Sequence, residues 1–179
     1  MSAPTSGPGD LTDDDLFFAR VVAALVDSGR TATPDAAART VDVASDVAGG
    51  RVLALVRPDA RAVTFYAVRP TNVPADRLPA VAELVVRANA DLFVAALELD
   101  LARGTVAARS ALTLGPLDPP DQALRHLLVA ALTEAEDALT TYTPALDAVL
   151  TGTPAAQAAA DAYRATLDGS VLDGSLLDG

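Results

Sequence analysis

Cysteine is absent from this 179-residue chain, which excludes disulfides, thiolate nucleophiles and cysteine-ligated metal or iron–sulfur centres. Lysine is absent too: all 13 cationic residues are arginine, so no Schiff base and no lysine-bearing phosphate loop can form. Tryptophan is missing, aromatics make up 4% of residues, and histidine occurs once, as His126. Positive charge is scarce against 24 acids, leaving a net charge of −11. Such a surface repels nucleic-acid phosphates and anionic membranes, and it steers basic protein partners toward it. No apolar run reaches the ~18 residues of a membrane-spanning helix. Residues 1–10 lack the basic start of a signal peptide and read as a flexible lead-in, so a cytoplasmic location is the expectation.

What is present is apolar: 51% of residues are hydrophobic, enough for one well-buried domain of this length. Thr12 followed by Asp13, Asp14 and Asp15 is a capping-box-like helix start, with acids where the helix dipole favours them. The helix it opens, over Asp13 to Asp27, carries Phe17, Phe18, Val21, Val22, Leu25 and Val26, an arc wider than one core face requires. Thr31 to Ala38, polar and alanine-rich with Pro34 inside, fits no single element. Thr40 to Val47 is a weak strand and Gly49-Gly50 a turn. Arg51 to Arg57 and Ala62 to Val68 are stronger strands joined by Pro58-Asp59-Ala60.

After a proline-bearing loop, a second helix is expected from about Asp76 to Asn89. Its stripe is Leu78, Val81, Ala82 and Val85; Leu84 and Val86 flank it and need a second contact to be buried. Leu92 to Leu99 and Thr105 to Leu114 form the clearest hairpin. With Leu99 opposite Val106, the pairs Leu97–Ala108, Ala95–Ser110 and Phe93–Leu112 make one face apolar, and Glu98 and Arg109 become diagonal neighbours on the other. A long helix from about Asp121 to Tyr142 follows, which Pro144 should kink or break. A final alanine-rich helix runs to about Leu167. Leu-Asp-Gly then occurs three times, at Leu167, Leu172 and Leu177, a spacing of five that suits neither helix nor strand. The domain therefore spans 11–167, with an acidic tail over 168–179.

Chemistry-bearing constellations are missing from this pattern. His126 lies on the helix side away from Leu128, and no second histidine or nucleophile elbow accompanies it. Asp42, Asp46, Glu98 and Glu134 are scattered over polar faces rather than paired for acid–base work. No cofactor and no metal is expected.

The order helix, three strands, helix, two strands, long helix accompanies a resemblance in the residues themselves. FYAVRPTNVP at Phe65–Pro74, AVAELVVRANADLFVAALELDLARGTV at Ala80–Val106 and TTYTPALDAVLTGTPAAQA at Thr140–Ala158 are similar to the YbjN-like family. Its Arg-x-Asn step, its strand ending Glu-Leu-Asp before a Gly turn, and its Tyr-x-Pro before a later Gly match Arg87, Asn89, Glu98, Leu99, Asp100, Gly104, Tyr142, Pro144 and Gly152. The chain departs from the family at Ala90-Asp91 and Ala95-Ala96, where an aromatic-Gly and a Gly-Asn step are usual. The resemblance implies an α+β fold, an antiparallel sheet of about five strands packed with helices in the order α-β-β-β-α-β-β-α plus an extra C-terminal helix, like the small acidic type III secretion chaperones. It also implies a non-enzymatic dimer that binds a partner protein through apolar helix or sheet surfaces, and the net charge of −11 would suit a basic partner, including a nucleic-acid-binding one. Phe17, Val21, Leu84 and Val86 are the candidate interface residues. The competing expectation is a small-molecule enzyme or ligand-binding domain using carboxylates in a sheet cleft, for which Glu98 would have to be buried.

Overall fold

The computed structural model describes residues 12–45, 47 and 51–172. Helix α1 covers Asp13–Asp27 and starts as the sequence dictates: the Thr12 hydroxyl oxygen accepts from the Asp15 N–H, and the Asp15 carboxylate accepts from the Thr12 N–H, both at 3.2 Å. Strands β1 (Ala32–Asp35), β2 (Thr40–Ala44), β3 (Arg51–Arg57) and β4 (Ala62–Val68) follow as a meander. A 3₁₀ turn over Ala75–Arg77 leads into α2 (Leu78–Asp91), then β5 (Ala96–Asp100), β6 (Thr105–Thr113), α3 (Asp121–Leu150) and α4 (Ala155–Leu172). All strand pairs are antiparallel, in the order β1-β2-β3-β4-β6-β5.

Period-2 alternation sorts the sheet into two faces. Val41, Val43, Val52, Ala54, Phe65 and Val106 are buried under helices α1, α2 and α3, and α4 packs outside α2 and α3. Leu53, Leu55, Thr64, Tyr66, Val68 and Ala107 form the other face, half-buried only by one another. Core side chains of α3, among them Leu124, Leu128, Leu132, Leu139 and Leu146, run the length of the sheet.

Four local expectations give way to tertiary forces. The sheet has six strands rather than about five, because Ala32–Asp35 joins as an edge strand on β2. β5 begins at Ala96, so Leu97–Ala108 and Leu99–Val106 pair as expected, whereas Ala95–Ser110 and Phe93–Leu112 do not. The chain leaves α2 at Asp91 and needs Leu92–Ala95 to turn into the strand, which leaves Phe93 99% exposed. α3 continues through Pro144 to Leu150, because Ala145, Leu146 and Val149 prolong its buried stripe and burial outweighs the lost hydrogen bond. α4 continues past Leu167 to Leu172, so the backbone of 168–172 is helical. The expected lead-in over 1–10, Asp46, the Gly49-Gly50 turn and the Leu177 repeat lie outside the described residues.

Candidate functional site

Three of the four candidate interface residues are interior. Phe17, Val21 and Leu84 are buried within one protomer, so the expectation that they present a binding surface is corrected. The reason is packing: the two bulky phenylalanines and Val21 point at α3 and the sheet, and Leu84 faces the same core from α2. Val86, on the outer side of α2, is 73% exposed.

Helix α1 nonetheless leaves one apolar side uncovered. At 100° per residue, Phe17, Phe18, Val21, Ala24 and Leu25 define its buried side. The reverse side is Leu16, Ala19, Val22, Ala23 and Val26, apolar between Asp15 at one end and Asp27 at the other, and Val26 is 50% exposed. An amphipathic surface helix would place polar residues there. Between this side of α1 and β1 runs an open groove of about 520 Å³, floored by Phe18 and Val22 and walled by Pro34, Ala36, Val26 and Asp27.

Two hairpin-turn arginines fasten α1 in place. Arg39 and Arg61 adopt positive φ, 53° and 46°, a strained region for a side chain of this size. Arg39 lies 5.4 Å from the Phe18 ring centroid and pairs with Asp15 at 2.6 Å. Arg61 lies 5.3 Å from the Phe17 ring and pairs with Asp118 at 2.6 Å. Arg20 reaches Asp118 at 2.6 Å and Asp121 at 2.9 Å, tying α1 to the start of α3. These guanidinium groups hold Asp15 and Asp118 below the usual carboxylate range, chiefly through the Arg39 bond for the first and the Arg20 bond for the second.

The open sheet face is the other uncovered surface, with Leu53, Tyr66, Val68 and Ala107 at its centre. Several charges at its margins are paired within the chain: Asp42–Arg51 at 2.8 Å, Glu98–Arg109, and Asp100–Arg103 at 2.9 Å; Asp35 and Arg57, on the same face, have no ion-pair partner among the described residues. Glu98 is thus exposed and neutralised by Arg109, the diagonal pairing expected from the register. It is not the buried carboxylate that sheet-cleft catalysis would need.

A buried carboxylate does exist, on Glu136 rather than the exposed Glu134. Glu136 is 4% exposed; Arg30 donates to its two oxygens at 2.9 and 2.7 Å and the Ser45 hydroxyl donates at 2.5 Å. Its position four after Leu132 and three before Leu139, inside the buried stripe of α3, was the available signal. The cluster staples the end of α1, the end of β2 and the middle of α3. His126 is exposed. Among the described residues, no three His, Cys, Asp or Glu side chains gather as metal ligands, and no helix is long and apolar enough to cross a membrane.

The motif residues prove to be joints. The Asn89 side chain accepts from the Leu97 N–H at 2.7 Å and donates to the Leu97 carbonyl at 3.0 Å, so it acts as an extra rung on the free edge of β5. Asp100 caps the β5–β6 turn by accepting from the Ala102 and Arg103 N–H groups at 2.8 and 3.1 Å. Gly104 has φ +71°, and its carbonyl accepts from the Val73 N–H at 2.8 Å. Tyr142 is buried against the end of α2; desolvation, and then the charge of Asp91, pushes its phenol up.

Architecture and surface together define an α+β protein with helices on one face of an antiparallel sheet, and two apolar surfaces left open. The fold is YbjN-like: the crystal structure of YbjN, described as a candidate transcription regulator from E. coli, matches with a TM-score of 0.51 at 13% identity, over 75% of this chain and 92% of that one. No family model matches the chain, and no curated protein matches it.

Proposed function

We propose that this chain is a non-enzymatic protein-interaction module that works as an acidic homodimer and binds a partner protein through its uncovered apolar surfaces. The observation that carries the reading is the outer side of α1, where Leu16, Ala19, Val22, Ala23 and Val26 are apolar yet left uncovered. A helix of that composition belongs in a core or an interface.

The two open surfaces divide the work by their charge. The sheet face suits a second copy, since Asp42, Glu98 and Asp100 at its margins are already paired and leave two acidic subunits less repulsion to overcome there. The fold neighbour is described in terms of transcription. With a net charge of −11, a role of that kind would run through a basic nucleic-acid-binding partner rather than through direct contact with phosphates.

Light scattering on the purified chain tests the dimer. We expect a dimer that Tyr66→Glu, at the centre of the sheet face, converts to a folded monomer. A strict monomer at every concentration, with no α1-dependent protein contact, would overturn the reading.

A further inference from the structure

The strands of the open sheet face are nearly neutral on a chain of net charge −11, and this inference rests on the interaction reading above. Alternation places Asp35, Asp42, Glu98 and Asp100 on that face, against Arg51, Arg57 and Arg109. Asp42, Glu98 and Asp100 are engaged within the chain by Arg51, Arg109 and Arg103. Two strand charges are left over, and they are opposite in sign: Asp35 on β1 and Arg57 on β3. Asp59 also has no ion-pair partner among the described residues, but it lies off the strands, in the β3–β4 turn. The Asp35 Oδ1 accepts from the Ala38 N–H at 3.0 Å, which steadies the carboxylate at the sheet end. Asp35 opposes Thr40, Thr40 opposes Leu55, and Arg57 lies two residues farther along β3. With about 4.8 Å between strands and about 3.4 Å per residue, the two Cα atoms stand about 12 Å apart, and no bond joins the side chains.

We propose that a second copy covers this face about a twofold axis that pairs Asp35 of each copy with Arg57 of the other. An isologous interface brings residue i onto j and j onto i, so one leftover charge of each sign is satisfied at two symmetric places. The axis that exchanges the two positions runs midway between them, at right angles to the line joining them. Laid on the ladder as a flat grid, it passes between Thr40 and Leu55, then between Leu53 and Tyr66, then between Val68 and Ala107. Pairing the charges therefore closes the apolar centre on itself, with Leu53 of one copy against Tyr66 of the other. The like charges this axis brings together are already neutralised within their own chains: Arg51 and Arg109 by Asp42 and Glu98, and Asp100, near its own twin, by Arg103. A face about 24 Å on a side buries about 600 Å² per copy and about 1,200 Å² in all, the lower end of stable interfaces.

A partner of one charge sign is a poorer occupant. A basic surface satisfies Asp35 and opposes Arg57, and an acidic surface does the reverse. Only a surface that carries both charges in exchanged places satisfies both, and the chain's own face meets that requirement by symmetry.

Sedimentation equilibrium on the full chain reads the dimer dissociation constant. Arg57→Asp and Asp35→Arg should each weaken the dimer about tenfold or more, because each sets like charges together at both symmetric places. Net charge alone predicts opposite effects, since the first variant makes the chain more acidic and the second less. Mixed together, the two variants should form a heterodimer within about threefold of the parent affinity, since both pairs are then restored. A mass tag on one variant identifies the heterodimer by native mass spectrometry, and its formation shows that both variants fold. Should Asp35→Arg fail to fold, Asp35→Asn decides: it keeps the acceptor for Ala38, drops the charge and should weaken the dimer about threefold or more. An unchanged constant for that variant, or for both charge reversals, would overturn the pairing. So would a dimer tightened by Asp35→Arg, or a mixture of folded variants that yields no heterodimer. Exchange protection on dimerisation centred on α1 rather than on Leu53 and Tyr66 would overturn it too. In each of these cases a parent chain that still dimerises leaves the interaction reading in place. A parent chain that is a monomer at every concentration removes the pairing, and with no α1-dependent protein contact it removes the reading as well.

Discussion

Replacing Asn89 isolates what one side chain does for a sheet edge. Its amide makes two hydrogen bonds to the backbone of Leu97, a residue only 2% exposed. Each bond contributes about 1 kcal/mol net, and a buried backbone group left without a partner costs about 1–3 kcal/mol. Asn89 itself is exposed, so water can reach part of the vacated space and the lower figures apply. Asn89→Ala should therefore destabilise the chain by about 2 kcal/mol, a drop of about 4–8 °C in melting temperature for a domain of this size. Asn89→Asp separates the two bonds. Its carboxylate still accepts from the Leu97 N–H but confronts the Leu97 carbonyl, and only the protonated acid can donate there. The folded state thus raises the pKa of this aspartate above its unfolded value and binds more protons than the unfolded state. The deficit of Asn89→Asp relative to the parent chain should shrink as pH falls through that raised pKa, whereas the deficit of Asn89→Ala should not. Urea melts of the three proteins between pH 7 and about pH 4 read both effects. A loss under about 0.5 kcal/mol for Asn89→Ala, or parallel pH profiles for the two variants, would refute the clamp.

Further outcomes follow from the same geometry. A Cβ on Gly104 would stand less than 3.0 Å from the Val73 carbonyl oxygen at a φ of +71°, whereas one on Gly29, at +85°, would meet nothing within 4 Å. Gly104→Ala should cost about 3 kcal/mol or more and Gly29→Ala about 1 kcal/mol, compared by denaturant melts. Glu136→Ala removes the partner of Arg30 and Ser45 and should cost about 2–3 kcal/mol, the lower end of a broken buried pair because Arg30 can rehydrate. The carboxyl groups of Asp15, Asp100 and Asp118 are held down, first by hydrogen bonds from Arg39, Arg103 and Arg20 respectively. Their stabilisation is present above the unfolded value of 3.8 and is lost as pH falls through the depressed folded values. The stability gap between the parent chain and Asp118→Asn should therefore close below about pH 4 and narrow in high salt.

Local chemistry made much of the fold readable. The capping box placed α1 at its observed bounds, and alternation fixed the register of β5 on β6 around Leu97 and Leu99. β1 was illegible because an edge strand has no two-faced burial to write into its sequence: Ala32 is partly covered and Thr33, Pro34 and Asp35 are exposed. Its strand character comes from pairing with β2. The sidedness of α1 was illegible for the opposite reason, since its apolar arc is wider than one core face requires and periodicity cannot say which part of it is inside. Phe17 and Val21 fit either an interface or the core by pattern, and both point in. On α2 the stripe left Leu84 and Val86 equivalent, and only the packing of α3 and α4 against the helix buries the first and leaves the second in solvent.

The sequence by itself determined the acidity, the missing cysteine and lysine chemistry, the helix starts and the strand periodicity, because each depends on residue type or on neighbours within a few positions. Only the tertiary structure decided which side of α1 faces solvent, that Glu136 is buried on Arg30, and that Arg20 and Arg39 are engaged by Asp118 and Asp15. Those outcomes depend on which surfaces compete for one core and which charges meet across long stretches of chain, and no local pattern encodes the result of that competition.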